Sequence, residues 1–371
     1  MSFAASISGT KVGSIDSSVA VTWTELQGQD LCAWNDVLFR TGASIHQYPF
    51  WNEPYRHMGV TPHYLVWGAP HRPNALATIL TVGAGPIKIG MVFRGPTSLV
   101  EGAEIPKESF SQLFAWARVK DFMFLRFTHS DPDVLAGLAE ASESSLKGDA
   151  FPYLLDYSIL SGDYIIEQRA SDEEMLAGFD REVRRKLRRA AEAGYEFGSD
   201  DSPEALEQVW RLYQQCARRK QFRVERPLSF YQELMQGARL NRLTRLYTVR
   251  VEGKIVGSTL IFRDRTTAHC QLAAFEADHR DSATFLHWHS MRDMHRMGVE
   301  RYNLGPGPGS LARFKSMFTP HPVQYPSPLT VVLKENWFRL WRKAFIPAAK
   351  RLHPMVRRLA MQRAALSRRI V

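Results

Sequence analysis

Long apolar runs are missing from this sequence. No stretch of about 18 apolar residues occurs, so no membrane-crossing helix is expected. The Ser-rich start, Met1 to Val19, holds one lysine and no apolar core of signal-peptide length. Cysteine is scarce: Cys32, Cys216 and Cys270 show no metal-ligand spacing and do not form an even set. That fits a reducing compartment and predicts no metal site, so we read the protein as cytoplasmic. His287, His289 and His295 share a predicted helix, but none are four apart, the spacing a helical metal pair requires. Gly305-x-Gly-x-Gly309 lacks the lysine of a phosphate-binding P-loop and the third glycine of a dinucleotide fingerprint. Acidic residues are lacking in one place above all. From Lys334 to the end, eleven basic residues face one acid, Glu335, which accounts for the whole net charge of +10. The body before it is neutral, so the pI near 9.6 does not signal nucleic-acid binding over the whole surface, and no DNA partner is expected.

What is present suits a large core. With 371 residues, 44% of them hydrophobic and 23% charged, the chain most naturally makes two domains. Residues 1–20 are expected to be a disordered lead-in. Leu26, Leu31, Trp34, Val37 and Leu38 recur at helical intervals and predict a helix from Trp23 to Thr41. Pro62 to Trp67, Ala75 to Val82 and Ile87 to Phe93 read as a strand meander closed by Arg94-Gly95-Pro96. A helix over Ser109 to Lys120, a strand over Phe122 to Phe127 and a helix start at Ser130-Asp-Pro-Asp133 follow, then an extended segment, Phe151 to Ser158. Ser171-Asp-Glu-Glu174 is a capping box for a helix running through the basic stretch Arg181 to Arg189 and ending at Gly194. Its Val183, Leu187, Ala190 and Ala191 form the inward stripe, leaving the cations on exposed sides or against phosphates. Ser202 and Pro203 open a further helix to Lys220.

The stretch Lys254 to Phe318 carries the densest pattern. Lys254 to Phe262 and His269 to Phe275 are two strands of a hairpin; Ser282 to Met297 is an amphipathic helix with Gly298 just past its end. A strand, Val299 to Leu304, enters Gly305-Pro-Gly-Pro-Gly-Ser310, and a basic helix, Leu311 to Phe318, follows. A tight-turn loop at a strand end is how a mixed sheet makes a ligand cleft, here for an anion or an acyl group. The residues Met294-His-Arg-Met-Gly298, Arg301-Tyr-Asn-Leu-Gly305 and Leu311-Ala-Arg-Phe-Lys315 with Phe318 resemble the closing segment of the Fem-type (FemABX) peptidyltransferases and their acyltransferase relatives. The resemblance implies an α/β fold of two tandem GNAT-like domains, each a mixed, mostly antiparallel sheet flanked by helices.

The same resemblance implies site residues. Tyr213 to Phe222 is similar to the family's Thr-x-x-Arg-x-x-Phe pattern, with Cys216 in place of Thr, and makes Arg219 the acceptor-phosphate residue. Arg56, displaced by about one position, stands where a basic residue helps hold the acceptor, and Arg94 closes a strand as a pocket-lining residue. Gly305, Gly307 and Phe314 line the donor cleft. Lys315 faces the developing oxyanion or the donor phosphate, or is a surface lysine. Glu276 ends a strand where some GNAT enzymes keep a base, and also reads as a solvated turn residue. The CoA-type glycine turn is replaced by Arg280-Asp-Ser-Ala-Thr-Phe285, and Asp281 there repels an anion. Both acyl-CoA and aminoacyl-tRNA therefore stay open as donors.

The tail after the strand Leu329 to Leu333 sets Trp337, Leu340, Trp341, Ala344 and Phe345 at helical spacing beside Arg339, Arg342 and Lys343. Such a helix suits an anionic membrane leaflet on its inner face, where each nearby base adds about 1 kcal/mol; it also suits an RNA backbone or docking on the body. We expect a lead-in (1–20), two GNAT-like domains (21–160 and 161–333) and a basic tail (334–371). The expected reaction is transfer of an acyl or aminoacyl group to an amine of a cell-envelope precursor, of peptidoglycan or polysaccharide type. The alternative is a non-catalytic basic adaptor binding anionic membrane or RNA.

Overall fold

The computed structural model describes residues 22–347 apart from 27–29, 70–71, 84, 149–161, 225, 240 and 308. The lead-in 1–20, the segment Phe151 to Ser158 and the tail beyond 347 lie outside the described residues.

Two mixed sheets carry the fold. The first uses β1 (Trp23–Glu25), β2 (Thr61–Ala69), β3 (Arg72–Val82), β4 (Ile89–Phe93), β5 (Thr97–Ser98), β6 (Phe124–Thr128) and β7 (Ser145–Lys147). The second uses β8 (Ile165–Glu167), β9 (Glu196–Ser199), β10 (Thr244–Val251), β11 (Lys254–Arg263), β12 (Thr267–Phe275) and β13 (Arg301–Asn303). A last strand, β14 (Leu329–Val332), returns to the first sheet, giving the orders β1-β2-β3-β4-β6-β14-β7, with β5 beside β3, and β8-β13-β12-β11-β10-β9. Each half repeats one motif: an antiparallel hairpin, a helix, and a strand parallel to the hairpin's last. In the first half these are β3 and β4, the helix Lys107–Val119, and β6; in the second they are β11 and β12, the helix Ser282–Arg296, and β13. Tandem GNAT-type architecture is thus observed.

Local chemistry explains the elements. Phe110, Leu113, Phe114 and Ala117 follow helical spacing and are buried under the first sheet. The Ser202 hydroxyl accepts from the Ala205 amide at 3.2 Å and opens the helix Pro203–Lys220, which Gln221 ends in a left-handed turn. Three expectations are corrected. Trp23 does not start a helix: it pairs with Trp67, and its indole donates to the Ser109 carbonyl at 2.6 Å, leaving the helix to begin at Asp30. The expected helix from Ser171 to Gly194 is two, Asp172–Gly178 and Arg181–Glu192. Asp180 caps the second, accepting from the Glu182 amide, and Arg184 donates to the carbonyls of Leu176 and Phe179 at the break. Val183 and Ala190 point inward as expected, whereas Ala191 is exposed. Leu329–Val332, placed at the end of the second domain, lies instead between β6 and β7 of the first sheet.

The halves share one core. Leu38, Tyr48, Val66, Leu76 and Phe124 of the first half and Leu206, Val209, Phe230, Leu260 and Phe262 of the second belong to a single apolar cluster. A second cluster lies between the other face of the second sheet and the helix Ser282–Arg296.

Candidate active site at the strand splay

The parallel pairs of the two halves differ. β4 pairs with β6 over all five of its residues, Ile89 to Phe93. β12 pairs with β13 only over Thr267 to His269, after which β12 runs on to Phe275 and β13 turns into the glycine loop. A register shift between Leu260 and Ile261 of the neighbouring β11 makes Gln271 the extra residue of a bulge in β12. Ala268 and Cys270 therefore face the second cluster, whereas Leu272 and Ala274 face the core between the halves. The second sheet opens like a V at this point, leaving strand edge available to a ligand.

Lys315 closes the bottom of the V. Its ammonium donates to the carbonyls of Leu304, Gly305 and Pro306, the last two at 3.1 and 2.7 Å. An ammonium has three protons, so this geometry commits Lys315 to holding the loop. The three carbonyls occupy the ammonium that was expected to face the oxyanion or the donor phosphate, or to lie on the surface. Burial lowers its pKa, opposed by Cys270 and Asp163. Gly307 is packed so closely that a Cβ there would meet the Lys315 side chain at 3.0 Å. Gly305 takes φ +73° and its amide donates to the Asn303 side chain at 2.6 Å. Behind the loop, the His287 ring packs on Phe314, Phe318 and Phe275 and bonds to the Tyr302 hydroxyl at 3.1 Å. Burial, with the Lys315 charge adding to it, depresses its pKa to about 3, so it is neutral at pH 7. Burial also pushes the Cys270 thiol up to about 11, which excludes a ready thiolate nucleophile there.

The mouth of the V faces the first half across a set of polar side chains. Asp264, buried on the turn between β11 and β12, accepts from the amides of Ile45, Thr266 and Thr267 and contacts His269 Nε2 at 3.2 Å. A carboxylate accepts only, so His269 Nε2 carries a proton. The His46 ring lies 6.1 Å from that of His269. Burial, then the charges of His269, Arg94 and Arg226, hold the His46 pKa well below the ordinary range. Arg94 stacks 3.4 Å over the Tyr325 ring, and Tyr325 donates to Asp163 at 2.8 Å. Asp163 also accepts from Asn303 at 3.0 Å, while its other oxygen is buried with no partner among the described residues. Arg226 donates to Tyr55 at 2.8 Å and to Gln271 at 3.4 Å.

The remaining expected residues fall elsewhere. Arg219 sits at the rim, donating to the Phe275 carbonyl at 2.7 Å. Glu276 pairs with Lys254 at 2.8 Å, which makes it a hairpin ion pair and a poor candidate for a base. Arg56 is spent on Glu53 at 2.7 Å and on the Pro62 carbonyl, within the first half. The repulsive Asp281 is neutralised by a two-pronged bond from Arg189, at 2.8 and 2.9 Å. A cleft of about 750 Å³ opens between Arg181–Glu192 and Ser310–Lys315, where Arg181, Arg185, Lys186 and Arg313 outnumber the acids Asp180 and Glu182, the latter paired with Arg185 at 2.6 Å. The pair Asp264 and His269 escaped the sequence because its partners meet only once the turn is made. A turn-forming Asp next to a strand histidine was the available signal. Among the described residues, no group of three or more His, Cys, Asp or Glu side chains could hold a metal ion, and no helix is long and apolar enough to cross a membrane.

Residues 177–316, which contain the splay, the glycine loop and most of the cleft lining, match the family model described as an acetyltransferase (GNAT) domain. That match likens the second half to a GNAT domain. Over the whole chain the fold is similar to the crystal structure of FemX, at 14% identity, covering 86% of this chain and 99% of that one, with a TM-score of 0.69. It is similar also to a conserved protein of unknown function from Bacteroides thetaiotaomicron, at 12% identity, 85% and 100% coverage and a TM-score of 0.60. L-PGS from Bacillus licheniformis matches at 15% identity, 86% and 97% coverage and a TM-score of 0.53. No curated protein matches the sequence significantly. The matched stretch therefore sits within a fold similar to that of FemX, and the splayed strands belong to the half that the family model covers.

Proposed function

We propose that this protein is an N-acyltransferase that passes an acyl or aminoacyl group to an amine of a cell-envelope precursor. The carrying observation is the asymmetry of the two halves: the first-half strands pair throughout, whereas β12 and β13 part after His269 and Asn303. The donor's acyl end lies in that V, and its anionic end lies along the cleft lined by Arg181, Arg185, Lys186 and Arg313. The GNAT fold implies an acyl-CoA donor in general; the absence of glycines from Arg280 to Phe285 favours recognition by the cleft cations, a feature that also suits charged tRNA.

The amine enters from the side of the first half. As the neutral amine it attacks the acyl carbonyl carbon, the C–N bond forms, the thioester or ester bond breaks, and the carrier leaves as its thiol or alcohol with the proton the amine gives up. His269 Nδ1 accepts the amine proton, with Asp264 fixing the ring and stabilising the imidazolium. The second oxygen of Asp163, without a partner among the described residues, accepts a hydrogen bond from the N–H of the incoming neutral amine. Arg219 and Arg94 flank the approach, where an acceptor phosphate would meet them.

Mass spectrometry tests this. Purified protein is given acetyl-CoA or charged tRNA, each with a mixed pool of envelope-precursor amines. An acylated product from either donor supports the proposal and names the donor. Absence of both binding and transfer refutes it in favour of an adaptor.

A further inference from the structure

A second surface lies away from the splay. The helix Glu335–Leu340 continues into a wider turn, Trp341–Phe345, and docks on the first half through Phe338 and Trp341, whose rings lie 5.4 and 5.2 Å from that of Phe124. Docking consumes only that face. Trp337, 44% exposed, and Leu340, 56% exposed, project outward at a spacing of three residues, with exposed Ala344 next in the series. Trp337 is the one exposed tryptophan among the described residues. Lys343 and Arg339, the latter paired with Glu335 at 2.9 Å, stand beside this stripe, also exposed. At the foot of the helix Lys334 pairs with Asp121, two residues from Val119, which is 85% exposed. The sequence that follows, 348–371, adds seven basic residues and no acidic one.

We infer that this face binds an anionic membrane surface peripherally, with Trp337 and Leu340 entering the headgroup region and the basic residues meeting lipid phosphates. An outward tryptophan and leucine flanked by cations is the composition of an interfacial helix. An RNA backbone would be satisfied by the cations alone and gives no reason for two large apolar side chains held in water. One acyl-chain-sized apolar contact is too weak to anchor a protein, and the basic run supplies the second signal that stable attachment needs. The inference is independent of the proposed chemistry. It stands or falls on binding alone.

The full-length protein is floated with vesicles of phosphatidylcholine alone or with about 30% phosphatidylglycerol, with a short RNA hairpin as competitor. Binding at least about tenfold stronger to the anionic vesicles is expected, with a blue shift of tryptophan emission and weakening in salt. The double variant Trp337→Ala, Leu340→Ala is expected to lose about tenfold in vesicle partitioning with an unchanged melting curve, because both side chains are exposed. Three outcomes overturn the inference: no preference for anionic vesicles, equal partitioning of the double variant, or RNA binding without vesicle binding.

Discussion

His287 gives a direct handle on the second core. Its ring is enclosed by Phe275, Tyr302, Phe314 and Phe318, and burial takes its pKa from 6.5 down to about 3. In the unfolded chain the imidazole protonates near 6.5. Between those two values the unfolded state binds a proton that the folded state refuses, so stability rises with pH through this window and is lost on acidification. Each pH unit is worth about 1.4 kcal/mol, so lowering the pH from 7 to 4 removes about 3 kcal/mol through this one group. That is a large share of the roughly 5–15 kcal/mol that holds a typical domain together. Other groups also titrate in the window, so the assay is a difference. Urea denaturation is followed at a series of pH values for the natural protein and for His287→Gln, whose amide cannot take up the proton. The variant is expected to be less stable at pH 7 but to show a shallower decline, with about 3 kcal/mol less lost between pH 7 and 4. Parallel pH curves for the two proteins would refute a buried neutral His287.

Lys315→Met strips the donor from three loop carbonyls and is expected to cost about 2–4 kcal/mol and to speed amide exchange at Gly307 and Gly309. Unchanged stability with lost turnover would return Lys315 to the reacting atoms. Gly90→Ala brings a Cβ to 2.4 Å from Leu125 and 2.9 Å from Ile79, and the overpacking is expected to destabilise by about 1–3 kcal/mol in thermal melts. A neutral result would mean that the first core yields more easily than its packing suggests. With an acyl donor and acceptor in hand, His269→Gln is expected to lower kcat by about 100-fold or more, and Asp264→Asn by less, with folding retained by circular dichroism. Full activity in His269→Gln would remove it as the proton acceptor.

How much of this was legible in the sequence depended on distance along the chain. The hairpin around Arg263 to Thr267, the helix Ser282–Arg296 with Gly298 after it, and the glycine loop into Ser310–Lys315 were readable because short-range periodicity and turn residues determine them. The contacts of Lys315 are not legible, since nothing local says that three carbonyls will surround its ammonium. Trp23 and Leu329 to Val332 were misplaced for a similar reason: a strand's partner is a tertiary choice, and a short apolar run carries no record of the sheet it will join. The helix Leu228–Arg239 went unread, though its buried Phe230, Tyr231, Leu234 and Met235 form a regular stripe. The site at the V is the extreme case. Asp163, Asp264, His269, Arg94 and Tyr325 come from both halves, and only the completed fold brings them together.

The return of β14 to the first sheet bears on how the protein is made. Among the described residues β7 is joined to its sheet solely through β14, and β6 has its outer partner only when β14 arrives. Residues 329–332 leave the ribosome last among the sheet strands, so the first half must wait, with the edge of β6 bare, while the whole second half is synthesised. An open edge of this kind invites pairing with other chains. A product truncated before Leu329 is therefore expected to be aggregation-prone even though every residue of its GNAT domain is present, and the two halves are better regarded as a single folding unit than as separable modules.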